Sequence, residues 1–367
     1  MAAEVQRGNN IGRFIELSPR KNKAQSIGCD MIITKTPFRM SFFGGGTDYP
    51  AWYRKEGGAV LSTTIDKYCY LSCRVLPPFF DLKHRIVWSH IEMVNAVKEI
   101  LHPAIKACLE HYEFDDKTGL EIHYQGDLPA RAGMGSSSSF AVGLIKALKA
   151  MRGELIGKHE LALEAINLEQ NVMQDNVGSQ DQVATAYGGL NVIYFNPNGE
   201  ISVEPVVISQ NKLQELESSL VLIYTGTSRL ASEIAGTIIN NLEDRKKTLF
   251  EMRKMVDRAL DILGGNKPIA EFGQMLHESW MLKRELSSNV SSPAIDSLYQ
   301  TARDNGAIGG KLLGAGGSGF MVFFVEPNKR KALVESLQSF LNVPFRFEHE
   351  GSTLIYYKPS QLGLSKS

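Results

Sequence analysis

The sequence has little cysteine, no net charge and no long apolar run. Its four cysteines, Cys29, Cys69, Cys73 and Cys108, form neither a CxxC pair nor a metal-binding spacing with histidine. A disulfide framework is not expected at this length, so the four thiols are predicted to be buried and free. Lys plus Arg total 40, as do Asp plus Glu. This balance speaks against a general nucleic-acid-binding surface, which favours a strongly basic domain.

Membrane and export signals are missing as well. No run of about 18 apolar residues occurs, so no membrane span is predicted. The first 30 residues are polar and lack the apolar centre of a signal peptide, so we interpret 1–30 as a loosely ordered leader and expect a cytoplasmic protein. The hydrophobic content of 43% in 367 residues is enough for a sizeable core in two domains.

Strand and helix patterns alternate through the rest of the chain without an internal repeat. Strands are predicted at 31–35, 59–65, 68–75, 120–124, 190–195, 203–208, 220–224, 320–325 and 353–358. Helices are predicted at 94–111 with a bend or a split at Pro103, and at 138–151, 159–173, 229–262, 268–286, 293–305 and 328–340. We place a domain change in the polar run 209–218. The pattern therefore predicts an α+β protein with domains at 31–212 and 213–360 and a tail at 361–367.

The most informative segment is the glycine- and serine-rich stretch 129–140, between a predicted strand and a predicted helix. Gly133 and Gly135 allow the backbone to turn tightly and to approach a ligand. The unpaired N–H groups and the positive dipole end of the following helix suit a phosphate chain, and a serine hydroxyl there can reach a phosphate-bound Mg²⁺. A serine N-cap after a flexible turn produces the same pattern, so the segment alone leaves both interpretations open.

Two other nucleotide-binding motifs are excluded. A GxxxxGK[ST] loop occurs nowhere in the sequence. A GxGxxG pattern does occur at 314–319, but the apolar run 320–325 behind it is typical of a strand. A dinucleotide-binding fold requires a helix at that point.

A third glycine-rich segment, 36–50, is an apolar run that ends in Gly44-Gly-Gly-Thr-Asp48. Alone it is typical of a turn in which Asp48 caps a local N–H group. Together, however, the segments 37–48, 129–140 and 311–320 resemble, in order and composition, the three signature motifs of the GHMP kinases. This superfamily includes galactokinase, homoserine kinase, mevalonate kinase and phosphomevalonate kinase. The resemblance spans about 31–358 and implies a two-domain fold of mixed sheets and helices, with the active site in the cleft between the domains.

The resemblance also implies roles for individual residues. Glu169 matches the family's Mg²⁺ ligand together with Ser137, and Asp181 matches the catalytic aspartate that orients the attacking hydroxyl. Arg39 matches a cation beside the transferred phosphate. Without the motifs, a solvated helix carboxylate and a loop cap are the favoured interpretations of Glu169 and Asp181, whereas the apolar residues around Arg39 speak against a surface arginine. The implied ATP-binding residues are Pro129, Gly133, Met134, Gly135, Ser136, Ser137 and Ser138.

The sugar-binding segment departs from one branch of the family. Galactokinases carry Gly-Glu-His-Thr-Asp where this chain has Gly44-Gly-Gly-Thr-Asp48, so two sugar-contacting side chains are missing and galactose is not expected. The glycine form is similar to kinases that act on D-glycero-D-manno-heptose 7-phosphate at C1, and to the kinase part of fucokinases. The implied substrate-binding residues are Gly45, Gly46, Thr47, Asp48, Lys283, Gly316 and Gly317.

Lys283 enters that set as an anchor for the 7-phosphate. It neighbours Arg284 on a predicted helix, where adjacent residues point about 100° apart, so one of the two is expected to face the site. The resemblance favours Lys283, while a solvated basic helix face explains the pair as well.

The expected activity is ATP- and Mg²⁺-dependent phosphorylation of the anomeric C1 hydroxyl of this heptose 7-phosphate. The product would be the 1,7-bisphosphate used for nucleotide-activated heptose synthesis. A fucokinase-like kinase of a free sugar and a non-catalytic GHMP-fold sugar sensor stay open as alternatives. The expected partners are the sugar phosphate and ATP, with no nucleic acid and no membrane. The sequence leaves open whether the chain forms a homo-oligomer.

Overall fold

A computed structural model describes residues 28–77, 79–226 and 231–359 of the chain. The predicted leader up to residue 27, the predicted tail 361–367 and the first two residues of the predicted helix 229–262 lie outside these ranges.

The described residues form two sheets and a set of helices. The strands are β1 (Cys29–Phe43), β2 (Gly58–Val75), β3 (His84–Val87), β4 (Ile91–Val94), β5 (Leu120–Gly126), β6 (Asn191–Phe195), β7 (Ile201–Pro205), β8 (Leu220–Tyr224), β9 (Ala307–Leu312), β10 (Phe320–Val325), β11 (Leu341–Asn342), β12 (Phe347–Glu348) and β13 (Thr353–Pro359). The helices are α1 (Pro50–Glu56), α2 (Pro103–His111), α3 (Ser136–Met151), α4 (Lys158–Asn167), α5 (Gln180–Tyr187), α6 (Gln210–Ser219), α7 (Ala231–Asn240), α8 (Lys246–Gly264), α9 (Ala270–Glu285), α10 (Pro293–Asp304) and α11 (Arg330–Ser336).

The larger sheet has the strand order β13-β1-β2-β5-β3-β4, and its long strand β2 also pairs with β6 and β12. All its pairings are antiparallel except that of β3 with β5. Helix α3 packs closely against one face, because Gly143 has no side chain to separate it from the sheet. A Cβ at Gly143 would lie 2.8 Å from Thr36 Oγ1. The close packing fixes the position of the first turn of α3, which belongs to the candidate site.

The smaller sheet has the order β11-β8-β10-β9. Strands β9 and β10 are antiparallel neighbours, so the GxGxxG stretch 314–319 is the turn of a hairpin and not the start of a helix. The exclusion of a dinucleotide-binding motif is therefore confirmed. The mixture of sheets and helices also confirms the α+β class.

Two predicted helices differ in extent from the structure, and the polar run at the predicted domain change has a secondary structure of its own. The polar run 209–218 is the helix α6, whose start is capped by Ser209 Oγ accepting from Lys212 N. The predicted helix 94–111 is split near Pro103 into a 3₁₀ turn (Val97–Glu99) and α2, because proline fits the first turn of a helix and Pro103 begins one here. The predicted helix 229–262 is interrupted by a turn at 241–245 between α7 and α8.

The last strands of the chain return to the larger sheet. Strand β13 pairs with β1, and β12 pairs with β2, although both follow the whole smaller sheet in sequence. The larger sheet therefore contains residues from both halves of the chain, and the division at 212/213 stays a prediction. The predicted thiol state is confirmed, since the four cysteines are free and buried.

Candidate active site

Two glycine-rich loops touch each other backbone to backbone at the centre of the molecule. A Cβ at Gly133 would lie 2.5 Å from the carbonyl oxygen of Leu313, and one at Gly314 would lie 2.4 Å from Gly133 Cα. Both glycines have φ in the left-handed region, at 80° and 68°. Because any side chain would collide with the opposite backbone, glycine is required at both positions. The contact places the turn between β9 and β10 directly against the loop that begins α3.

Arg39 and Asp181 form a two-bond ion pair next to this contact. Arg39 Nε donates to Asp181 Oδ1 at 2.7 Å, and Nη2 donates to Oδ2 at 2.6 Å. The third guanidinium nitrogen, Nη1, donates to the carbonyl oxygen of Gly133 at 2.7 Å. The Arg39 side chain is only 3% exposed, whereas that of Asp181 is 24% exposed. The arginine thus connects strand β1 to both the glycine loop and the first turn of α5, and the carboxylate remains reachable.

Glu169 lies behind the first turn of α3. Its Oε1 accepts from Ser137 Oγ at 2.6 Å, and its Oε2 accepts from Ser138 Oγ at 2.7 Å and Gln182 Nε2 at 2.6 Å. A short π-helical turn (Leu168–Val172) after α4 positions the carboxyl there. Burial raises the pKa of Glu169 to about 7, against the opposing effect of these hydrogen bonds.

Asp48 is held at the end of the turn that follows β1. Its Oδ1 accepts from Gly46 N at 2.9 Å, and its Oδ2 accepts from Gln180 N at 3.3 Å. Burial and the nearby charge of Asp181 raise the pKa of Asp48. Asp48 and Asp181 line the same cavity, although different elements carry them.

Two buried lysines face the same space. Lys283 Nζ donates to the carbonyl oxygens of Leu312 and Gly314, at 2.8 and 2.6 Å, and Lys311 Nζ donates to that of Phe42 at 2.7 Å. In the parts of the chain that the structure covers, neither lysine contacts a carboxylate. Burial and neighbouring cations lower the pKa of Lys283 well below its ordinary value and that of Lys311 to about 7.

Arg284 points elsewhere. Its guanidinium pairs with Asp296 at 2.9 Å, and its side chain is 38% exposed. Of these two neighbours, Lys283 is thus the one that faces this space, and its role as an anchor stays a prediction.

These elements enclose a cavity of about 170 Å³. Predicted site residues that line it are Arg39, Gly45, Gly46, Asp48, Gly133, Gly135, Ser136, Ser137, Ser138, Asp181 and Lys283. Polar lining residues that the sequence did not single out are Ser41, Tyr49, Arg131, Asn176, Gln180 and Lys311. Most of the predicted residues are thus brought together, and their individual roles stay predictions.

Six predicted residues do not line the cavity: Pro129, Met134, Thr47, Glu169, Gly316 and Gly317. Thr47 Oγ1 instead donates to the carbonyl oxygen of Gly44 at 2.7 Å, which fixes the turn. A Cβ at Gly316 would lie 2.9 Å from Val290 Cα, and Gly317 N donates to the Val290 carbonyl. Thr47, Gly316 and Gly317 thus shape the loops that carry the cavity wall.

The donor set around Ser137 and Glu169 suits Mg²⁺, which prefers hard oxygen ligands and usually completes its shell with water and substrate phosphates. Within residues 28–77, 79–226 and 231–359, no group of three or more His, Cys, Asp or Glu forms a closed metal cage. An ion that depends on the phosphates for most of its ligands fits this arrangement. The cavity thus combines a helix N-terminus, hydroxyls, carboxylates and cations, which are the functional groups that phosphoryl transfer requires.

Two of the additional residues had a signal in the sequence. Ser41 lies two positions after Arg39 on one strand, so both side chains face the same side. Gln180 directly precedes Asp181. Lys311 and Arg131 could not be assigned this way, because their placement depends on the contact between the two glycine loops.

Family profiles match both halves of the chain. Residues 95–189 match the GHMP kinases N terminal domain, and residues 238–343 match the GHMP kinases C terminal domain. No helix in the described ranges is long and apolar enough to cross a membrane.

Individual proteins are similar over most of the chain. A D-glycero-alpha-D-manno-heptose 7-phosphate kinase from Campylobacter jejuni is 32% identical over 325 residues, which cover 84% of this chain and 93% of the relative. The bifunctional fucokinase/GDP-fucose pyrophosphorylase of Arabidopsis thaliana is 27% identical over 82% of this chain but only 30% of its own length. The crystal structure of a D-glycero-D-manno-heptose 1-phosphate kinase from Bacteroides thetaiotaomicron superposes with a TM-score of 0.67 at 25% identity, covering 89% of this chain and 99% of that one.

Proposed function

Because the chain belongs to the GHMP kinases, a family of ATP-dependent phosphotransferases, we propose that it phosphorylates D-glycero-D-manno-heptose 7-phosphate at the anomeric C1 hydroxyl. The product is the 1,7-bisphosphate for nucleotide-activated heptose synthesis. One observation carries the choice of substrate, namely the 32% identity across 93% of the Campylobacter jejuni heptose 7-phosphate kinase. An enzyme whose substrate and product are both sugar phosphates fits a cytoplasmic location.

In this proposal the phosphates of ATP lie against the first turn of α3. The backbone N–H groups of Ser136, Ser137 and Ser138 are at the positive end of a 16-residue helix. Gly135 keeps the space beside Arg39 and Asp181 free of a side chain, and Gly133 lets the two glycine loops pack together behind it. Pro129 and Met134 lie outside the cavity lining, and the Met134 carbonyl accepts from Arg39 N at 3.1 Å, which ties the loop to β1.

Ser137 and Glu169 would hold Mg²⁺, which neutralises charge on the β and γ phosphates when it is bound. Ser137 lines the cavity and hydrogen-bonds Glu169, so the hydroxyl and the carboxylate are already adjacent. The carboxyl must be ionised to serve as a ligand.

Asp181 orients the C1 hydroxyl and accepts its proton as the oxygen attacks the γ phosphate. The two bonds from Arg39 fix the carboxylate plane, so its position is set before the substrate arrives. The same guanidinium supplies positive charge beside the transferred group, where negative charge develops. Arg39 therefore both positions the base and stabilises the transition state.

The sugar occupies the side of the cavity formed by Gly45, Gly46 and Asp48. The glycines leave the space that side chains fill in galactokinases, and Asp48 accepts hydrogen bonds from sugar hydroxyls. Lys283, inside the same cavity, binds the 7-phosphate through its Nζ. Gly316 and Gly317 contribute by shaping the neighbouring turn.

A screen of ATP consumption across sugars and sugar phosphates tests the proposal, with phosphorus NMR locating the new phosphate. We expect the heptose 7-phosphate to be used far better than the unphosphorylated heptose, with the new signal at C1. Equal turnover of fucose or free mannose would instead support a free-sugar kinase. Sugar binding without ATP consumption would support a sensor.

A further inference from the structure

Two polar groups in the cavity wall have no hydrogen-bond partner among the described residues. They are the hydroxyl of Ser41, whose residue is 6% exposed, and the amide oxygen of Gln180. A buried polar atom without a partner destabilises a folded protein, and native proteins retain few of them. Other side chains in the described residues have such atoms, including Ser279 and Trp280, but of this set only Ser41 and Gln180 line the cavity.

The side chains of Ser41 and Gln180 lie at the same corner of the cavity. A Cβ at Gly45 would lie 3.6 Å from Gln180 Nε2 and 3.8 Å from Ser41 Oγ, so both polar side chains border the space over Gly45. Asp48 adjoins this corner, because the backbone N–H of Gln180 donates to its carboxylate. Asp181 follows Gln180 directly in the first turn of α5.

The hydrogen-bonding capacity of this corner matches alcohol groups. The Gln180 amide both donates and accepts, the Ser41 hydroxyl does the same, and the Asp48 carboxylate accepts. A phosphate or carboxylate at this corner would face the Asp48 carboxylate, which offers it no donor when ionised, while an apolar group would leave the serine and the amide unpaired. A ring with adjacent hydroxyls satisfies all of these groups.

We propose that Ser41 and Gln180 bind ring hydroxyl groups of the sugar beside the reacting hydroxyl, and so determine the enzyme's specificity for a polyhydroxylated ring. This inference rests on the proposed sugar-kinase function and assigns two residues to it. A site built to hydrogen-bond a hydroxyl discriminates strongly against the analogue that lacks it, since the buried polar groups are then left unpaired.

The test compares Ser41→Ala and Gln180→Met with wild type on heptose 7-phosphate and its 2-, 3- and 4-deoxy analogues. For the parent sugar we expect each variant to lose about tenfold or more in kcat/KM, with ATP affinity unchanged within about twofold. For the analogue that lacks the contacted hydroxyl, wild type and variant should have the same kcat/KM. Calorimetric binding of the sugar phosphate without ATP gives a readout that does not depend on turnover.

Ser279→Ala is the matched control. Its hydroxyl is also buried without a partner in the described residues, and the residue is 1% exposed, but it does not line the cavity. We expect wild-type kinetics and binding from this variant. Thermal unfolding of all three variants checks that each is folded.

The inference is overturned if the Ser41 and Gln180 variants discriminate among the deoxy analogues as wild type does, or if Ser279→Ala loses as much. These outcomes are separable from a failure of the proposed function. If wild type phosphorylates another sugar, the heptose assignment fails, and the same variants are measured with that sugar and its deoxy forms. If wild type uses the heptose but both variants match it, only the present inference fails.

Discussion

Replacing Lys311 by methionine tests the electrostatics of the cavity wall. The lysine is 3% exposed, and its Nζ donates to the carbonyl oxygen of Phe42. Burial, followed by the charge of Arg39, lowers its pKa from the ordinary 10.5 to about 7. In the unfolded chain the side chain regains its ordinary pKa. Between these two values the unfolded chain therefore holds a proton that the folded protein lacks.

This difference makes the free energy of unfolding depend on pH, with a known sign. Stability rises with pH wherever the unfolded state binds more protons, so the Lys311 contribution increases from about pH 7 toward pH 10. A full proton difference contributes about 1.4 kcal/mol for each pH unit. Because the folded lysine is still half protonated at its pKa, the gain from pH 7 to pH 9 is about 2 kcal/mol. Methionine has no proton to bind, so the variant lacks this gain.

Urea unfolding at pH 7 and pH 9, followed by tryptophan fluorescence, measures the effect. In Lys311→Met the Phe42 carbonyl loses its hydrogen-bond donor, which changes the free energy of unfolding by the same amount at both pH values. We therefore take the difference in unfolding free energy between wild type and variant at each pH and compare the two differences. We expect the free energy of unfolding of wild type, relative to that of the variant, to rise by about 2 kcal/mol from pH 7 to pH 9. Lys331→Met is the control, since this lysine is 89% exposed. A wild-type–variant difference that is the same at both pH values would refute the reasoning and show that folded Lys311 keeps its charge.

Four further variants test the proposed roles. Asp181→Asn should keep ATP affinity while kcat falls by about 10²–10⁴-fold, and a loss of less than severalfold would remove Asp181 as the catalytic aspartate. Ser137→Ala and Glu169→Gln should weaken binding of Mg²⁺-ATP far more than of metal-free ATP in calorimetry, and equal losses would contradict the metal assignment. Lys283→Ala should reduce the preference for phosphorylated over free heptose by about ten- to a hundredfold, the value of one charge-assisted bond.

The parts of the site that follow from local sequence were predictable. The first turn of α3 is marked by glycines followed by serines and a helical pattern, and those signals lie within about ten residues of one another. The choice of Lys283 over Arg284 also needed only the geometry of one helix and a family resemblance. The structure places Arg284 in an ion pair with Asp296, outside the cavity.

Features that depend on distant contacts could not be predicted in this way. The return of β12 and β13 to the larger sheet joins residues near 350 to strands near 35 and 65, and no local pattern records that pairing. Glu169 was assigned by resemblance alone. Its place behind Ser137 and Ser138 depends on the π-helical turn after α4, which hydrophobic periodicity does not reveal.

Lys283 shows how a distant contact changes the interpretation of a predicted residue. Its Nζ donates to the carbonyl oxygens of Leu312 and Gly314, and Gly314 packs against Gly133 in the segment 129–140, the proposed phosphate loop. If holding this turn were its whole role, Lys283→Ala would loosen the phosphate loop and weaken ATP and both sugars together. A direct bond to the 7-phosphate predicts a loss confined to the phosphorylated sugar. Measuring ATP affinity and both kcat/KM values in the same variant therefore separates support of the loop from recognition of the substrate.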